Sequence, residues 1–115
     1  MPKLLVVAIA SLALLAAPAG AATPTLTGTV GPGFTITLTL GGKKVATLKR
    51  GTYRLVVRDK SSSHDFRLKG PGFNKQFTSL SFVGTRTFTI VLKAGAWSYV
   101  CTPHVSSMRA TFRVT

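Results

Sequence analysis

Cys101, His104 and Met108 fall within eight residues, in the segment Cys101-Thr102-Pro103-His104-Val105-Ser106-Ser107-Met108. The aromatic run Trp97-Ser98-Tyr99-Val100 leads into it, and a second histidine, His64, stands far upstream. Cys101 is the only cysteine, His64 and His104 are the only histidines, and Met108 is the only methionine besides Met1. A soft thiolate, two imidazoles and a thioether form the donor set of a mononuclear copper site of the blue type, with sulfur and two nitrogens in one plane and methionine as a long, weak axial ligand. Taken singly, each residue is weak. Cys-x-x-His arises by chance, Met108 can fill a core, and a buried free cysteine can act as a small hydrophobe. The conjunction carries the reading.

The compartment adds to it. Met1-Pro2-Lys3 is a short basic start, and Leu4 to Ala17 is apolar except for Ser11. Pro18 and the small residues Ala19-Gly20-Ala21-Ala22 then supply an export-signal cleavage site, expected after Ala21 or Ala22. The apolar run is shorter than the roughly 20 residues that span a bilayer, which favours a removed peptide over a membrane anchor. Residues 1–22 are therefore read as a signal peptide and 23–115 as one domain. Export implies a periplasmic or extracellular location. In an oxidising compartment cysteines normally pair as disulfides, so a lone thiol there calls for an occupant, and a metal supplies one.

Charge and size exclude much other chemistry. Lys and Arg number 15 against two acidic residues, Asp59 and Asp65, for a formal net charge of +13. So few carboxylates leave no pair for glycoside hydrolysis and no oxygen-rich calcium cage. No Gly-x-Ser-x-Gly elbow accompanies the histidines, which argues against a hydrolase. The cations are spread along the chain, as on the solvated outer faces of a sheet. Their surplus speaks to partners: an acidic protein or an anionic envelope surface would be attracted. Nucleic acid, which would want a basic groove with stacking aromatics, is not expected in an exported chain.

The elements that must position the donors read as short strands. Phe34-Thr35-Ile36-Thr37-Leu38-Thr39-Leu40 alternates apolar residues and threonines, the period of a half-buried strand. Further strands are expected at Leu26 to Val30, Thr52 to Asp59, His64 to Leu68, Thr85 to Leu92, Gly95 to Cys101 and Met108 to Val114, with Val45 to Leu48 a short strand or a loop. The turns Gly31-Pro32-Gly33, Gly41-Gly42 and Gly70-Pro71-Gly72 punctuate them. Sixteen threonines suit pleated strands, and nothing after the signal has helical period. The expected fold is an all-β Greek-key sandwich of about seven to eight strands. On it, Cys101 ends one strand, Met108 begins the next, His104 lies in the loop between, and His64 closes the site from an earlier strand.

Three stretches carry a resemblance: His64-Asp65-Phe66, then Gly95-Ala96-Trp97-Ser98-Tyr99-Val100-Cys101-Thr102-Pro103-His104, then Met108 with Thr111-Phe112-Arg113-Val114. The sequence resembles the small cupredoxins of the plastocyanin, pseudoazurin and amicyanin kind, whose last strands run Tyr-x-Cys-x-x-His and then Met. That resemblance implies His64, Cys101, His104 and Met108 as metal ligands, one type 1 copper per chain, and single-electron transfer without enzymatic turnover. It departs from the family at Asp65, where an asparagine is usual, and at Ala110, where a glycine is common; three residues separate His104 from Met108, where family members vary between two and four. Two other functions share the same residues: a copper carrier or buffer without redox traffic, and a metal-free β-sandwich binding module. A monomer is expected, with its redox partner docking at the His104 edge beside Pro103 and Val105.

Overall fold

The computed structural model describes residues 22–115. The predicted signal peptide lies almost wholly outside the described residues. Ten strands follow in order: β1 (Thr25–Val30), β2 (Ile36–Leu40), β3 (Lys43–Lys44), β4 (Thr47–Leu48), β5 (Gly51–Asp59), β6 (Phe66–Gly70), β7 (Phe73–Thr78), β8 (Gly84–Leu92), β9 (Gly95–Val100) and β10 (Arg109–Val114). They form two five-stranded sheets, ordered β3-β2-β1-β5-β8 and β4-β10-β9-β6-β7. The expected all-β sandwich is what the chain adopts.

Alternation decides which side chains lie between the sheets. On β5, Tyr53, Leu55, Val57 and Asp59 are buried, while Arg54 and Arg58 between them are exposed. Along β1 and β2 the threonines face the other way, Thr27 opposite Thr39 and Thr29 opposite Thr37, which explains their abundance. The core holds Leu26, Leu38, Leu55, Phe66, Leu68 and Tyr99, each almost wholly removed from solvent. Gly28 has a specific reason to be glycine. A Cβ built there would lie 2.6 Å from the edge of the Phe66 ring, so the absent side chain makes room for the aromatic.

Register brings four loops to one end of the sandwich. Val30 pairs with Ile36 across β1–β2 and with Asp59 across β1–β5. Val100 pairs with both Arg109 and Arg67, and Phe66 pairs with Thr78. The segments 31–35, 60–65, 79–83 and 101–108 are therefore neighbours in space. Three of them carry the predicted ligands or their supports.

Some expected elements differ in detail. His64 does not sit on a strand; it lies in the loop ahead of β6, which begins at Phe66. The turn-rich stretch 41–50 holds two strands of two residues each, and β7 is a full strand that the alternation did not announce. Along β7 Phe73 is half-buried, Lys75 exposed and Phe77 buried, and the Lys75 ammonium lies 5.1 Å from the centroids of both Phe77 and Phe88. A cation covering two rings replaces the apolar residue that alternation would require there.

Candidate metal centre

The site grows from the way β9 runs into β10. After Val100 the chain leaves β9 at Cys101, turns through a short 3-10 helix at Thr102–His104, and re-enters the sheet at Arg109. Pro103 stands within the first turn, where its fixed φ fits and its missing N–H is not needed. Backbone hydrogen bonds close the loop. Cys101 N–H donates to the Met108 carbonyl (3.0 Å), and the amides of Met108 (2.8 Å) and Ser107 (3.1 Å) donate to the His104 carbonyl. The loop is held at its neck by the residues that were singled out as ligands.

His64 arrives from the β5–β6 loop. Asp59 Oδ1 accepts from Ser61 N–H (3.1 Å) and Ser61 Oγ from Ser63 N–H (3.1 Å), two side-chain-supported turns that deliver His64 inward. Its ring is 4 % exposed. His64 Nε2 lies 2.7 Å from the Gly33 carbonyl, which can only accept, so Nε2 carries the proton. Nδ1 is thereby the ring nitrogen turned toward Cys101 and His104. A backbone carbonyl fixing the tautomer of a ligating imidazole is the usual support of such a ring. Gly33 offers that carbonyl from a backbone at φ 71°, a conformation that favours glycine.

Three donor atoms converge. His64 Nδ1 is 3.2 Å from His104 Nδ1, and Cys101 Sγ is 3.6 Å from the first and 3.5 Å from the second. A triangle with those edges has its circumcentre about 2.0 Å from every corner. In zinc proteins metal–imidazole bonds run at roughly 2.0–2.1 Å and metal–thiolate bonds at roughly 2.3 Å. The cluster therefore fits one first-row ion after a small outward movement of the sulfur. Among the described residues this is the group of His, Cys, Asp and Glu side chains arranged to hold a metal. Cys101 is fully buried and His104 half-buried, so of the two candidate imidazoles His104 lies nearer solvent.

Met108 is also fully buried, joined to the cluster through its backbone bonds to Cys101 and His104. Burial pushes the Cys101 thiol above its ordinary range, against the pull of the Asp65 backbone amide, and the Asp65 carboxylate adds to the rise. A coordinated cation reverses that balance and holds the sulfur as thiolate.

Asp65 is wholly buried and accepts three hydrogen bonds: from Thr102 N–H, from the Thr102 hydroxyl (2.6 Å) and from Gln76 Nε2 (2.8 Å). It ties the cysteine loop down as an acceptor. Sequence reasoning marked Asp65 but missed Phe34. The Phe34 ring stands edge-on to both histidines, at 5.5 Å from His64 and 5.0 Å from His104, while 65 % of the residue remains exposed. Nothing local in the sequence could signal this, because the β1–β2 loop meets the site only in three dimensions.

No family model and no curated protein matches the chain in sequence. The likeness is to solved structures. Rusticyanin from Thiobacillus ferrooxidans is 26 % identical with a TM-score of 0.53, over 79 % of this chain and 76 % of that one. A rusticyanin carrying substitutions is 26 % identical at 0.54 over the same shares, and reduced rusticyanin is 25 % identical at 0.53 over 79 % and 78 %. The chain adopts a cupredoxin-like fold. The likeness covers 79 % of this chain, and the convergent His64, Cys101 and His104 could hold a metal ion. This likeness agrees with the resemblance that His64-Asp65-Phe66 and the last two strands carry in the sequence. No described helix of the chain is long and apolar enough to cross a membrane.

Proposed function

We propose that the chain is an exported type 1 copper protein that carries single electrons between redox partners. One copper would be held by His64, Cys101 and His104, with Met108 as the long axial ligand, and when bound it supplies one-electron chemistry. The observation that carries this reading is the triangle of two Nδ1 atoms and one Sγ, whose centre lies a metal bond away from each. The chain's own contribution is rigidity. Gly33 fixes the His64 tautomer, Asp65 fixes Thr102, and the closed neck of the loop fixes Cys101 against Met108. Ligands supported in this way keep similar places in both oxidation states, which favours electron transfer over storage. Four protein donors leave no open position for a substrate, which speaks for a carrier over an enzyme. A fast self-exchange rate measured on the copper-loaded protein supports the carrier; a slow one favours a copper buffer.

Two substitutions test the surroundings of the metal. Met108→Leu is expected to keep the blue colour and raise the reduction potential, while Met108→Gln lowers it, since the axial bond is weak and tunes more than it holds. Loss of copper binding in either variant would make Met108 a folding residue or a stronger ligand. Asp65→Asn is expected to raise the potential, because the buried carboxylate beside Thr102 favours the more positive ion. Voltammetry of that variant reads the shift directly, and an unchanged or lowered potential would contradict it.

The partner reading rests on charge. Both carboxylates of the domain are buried, Asp59 at 1 % and Asp65 at 0 % exposure, so no described acidic side chain reaches the surface to offset the cations. Four large apolar residues, Phe34, Leu80, Val83 and Val105, are exposed in the loops at the metal end. An acidic redox protein would be steered by the field and seated on that apolar end, beside His104. Steering of this kind raises association rates by roughly 10–10³-fold and is screened beyond a Debye length of about 8 Å at physiological ionic strength. Electron transfer with an acidic partner should slow steeply as salt rises, and with a basic partner it should quicken. Rates indifferent to salt with both would assign the charge to retention on an anionic envelope instead.

A further inference from the structure

Asp65 is a buried carboxylate with no cation in direct contact; its three partners are the amide and hydroxyl of Thr102 and the amide of Gln76. The Thr102 hydroxyl has a second partner. Arg67 Nε lies 3.0 Å from Thr102 Oγ1, and Arg67 Nη1 lies 2.9 Å from Asn74 Oδ1. Arginine can only donate, and a hydroxyl has one proton. Donation from Arg67 into the Thr102 oxygen therefore leaves that proton to point at Asp65 Oδ2. The direction of the whole chain is fixed: Arg67 to Thr102, and Thr102 to Asp65.

We infer that Arg67 is a positioning residue for the metal loop, acting through the Thr102 hydroxyl. Thr102 follows Cys101 directly, so whatever holds its peptide sets the aim of the sulfur. Arg67 suits the task because of where β6 places it. Arg67 pairs with Val100 across β6–β9 and with Gln76 across β6–β7, so it stands between the cysteine loop and the strand that supplies Asn74 and Gln76. A ladder shift between Phe66 and Arg67 lies at this point. The guanidinium spans the two neighbours with separate nitrogens, which a lysine ammonium on a flexible stem does not reproduce. In a domain whose other cations have no described acidic partner at the surface, this one is tied down. The inference rests on the copper reading for its consequence but not for its network, which needs no metal.

Amide hydrogen exchange in the metal-free protein tests it. Arg67→Gln and Arg67→Lys are both expected to speed exchange of the Thr102 N–H by roughly 3–10-fold, the effect of about one hydrogen bond, beyond any change in global stability measured on the same variants. Thr102→Val, which keeps the peptide and removes the hydroxyl, should do the same. Adding Arg67→Gln to Thr102→Val should then have no further effect, because residues acting through one link are not additive. After copper loading, both Arg67 variants should shift the charge-transfer band in the same direction as Thr102→Val. If Arg67→Lys exchanges like the wild type, the charge alone matters and positioning is overturned. Additive effects of Arg67→Gln and Thr102→Val would overturn the route through the hydroxyl. Failure of the exchange result leaves the copper assignment standing, and failure to turn blue leaves the exchange result standing.

Discussion

A Cys101→Ala protein should lose the blue colour entirely while still folding. The colour of a copper–thiolate site comes from charge transfer out of sulfur, and the chain has one sulfur nucleophile to offer. Cys101 Sγ stands 3.5 and 3.6 Å from the two imidazole nitrogens, so its removal leaves the group with a pair of histidines. Two imidazoles still attract Cu(II) along the ordinary affinity order, but with weak, pale absorption. The folding cost should be modest, because Cys101 is a small residue at the end of the core and its backbone bond to Met108 survives the change. Visible spectra and thermal melts of the same preparation separate the two effects. A blue Cys101→Ala protein would remove Cys101 from the ligand set.

Phe66→Ala should be the most damaging single truncation in the sandwich. Phe66 is fully buried, fills the space left by Gly28 on the facing sheet, and stacks on Tyr99 with centroids 6.0 Å apart and planes within 9°. Emptying such a position costs about 3–5 kcal/mol, against a total of roughly 5–15 kcal/mol for a domain of this class. At roughly 4–8 °C per kcal/mol for a domain of this size, the melting temperature should fall by more than 10 °C. The loss reaches the site because His64 and Asp65 immediately precede Phe66, and its amide donates to Thr78 Oγ1 at 3.1 Å. Gly28→Ala should also destabilise, by crowding the same ring, and should be less harmful when combined with Phe66→Leu. A Phe66→Ala protein within 1 kcal/mol of the wild type in denaturant titration would show that the two sheets close without this contact.

The candidate ligands stand out in the sequence because their types are rare in this chain. One cysteine, two histidines and one internal methionine admit few combinations, and three of the four occur between the last two strands, where loop length limits their spread. The strands were legible where one face is buried and the other wet, as in β2 and β5. Legibility failed where a tertiary contact replaces the local pattern. On β7, Lys75 lies over Phe77 and Phe88 and breaks the alternation that would have marked a strand. Gly33 and Phe34 read as a turn and the start of a strand, yet the folded chain uses one as a carbonyl for His64 and the other as an aromatic edge against both imidazoles. Asp65 was visible as an unusual residue beside a ligand. Its tie to Thr102 and the extension through Arg67 and Gln76 depend on the pairing of β6 with β7 and β9, which no spacing encodes.

The central claim, a type 1 copper site built from His64, Cys101, His104 and Met108, is tested most directly by titrating the metal-free protein with Cu(II) while recording visible absorption. One equivalent should saturate an intense blue band, which mild reductant bleaches and reoxidation restores over repeated cycles. A colourless or pale complex at one equivalent, or binding of several coppers with no intense band, would contradict it.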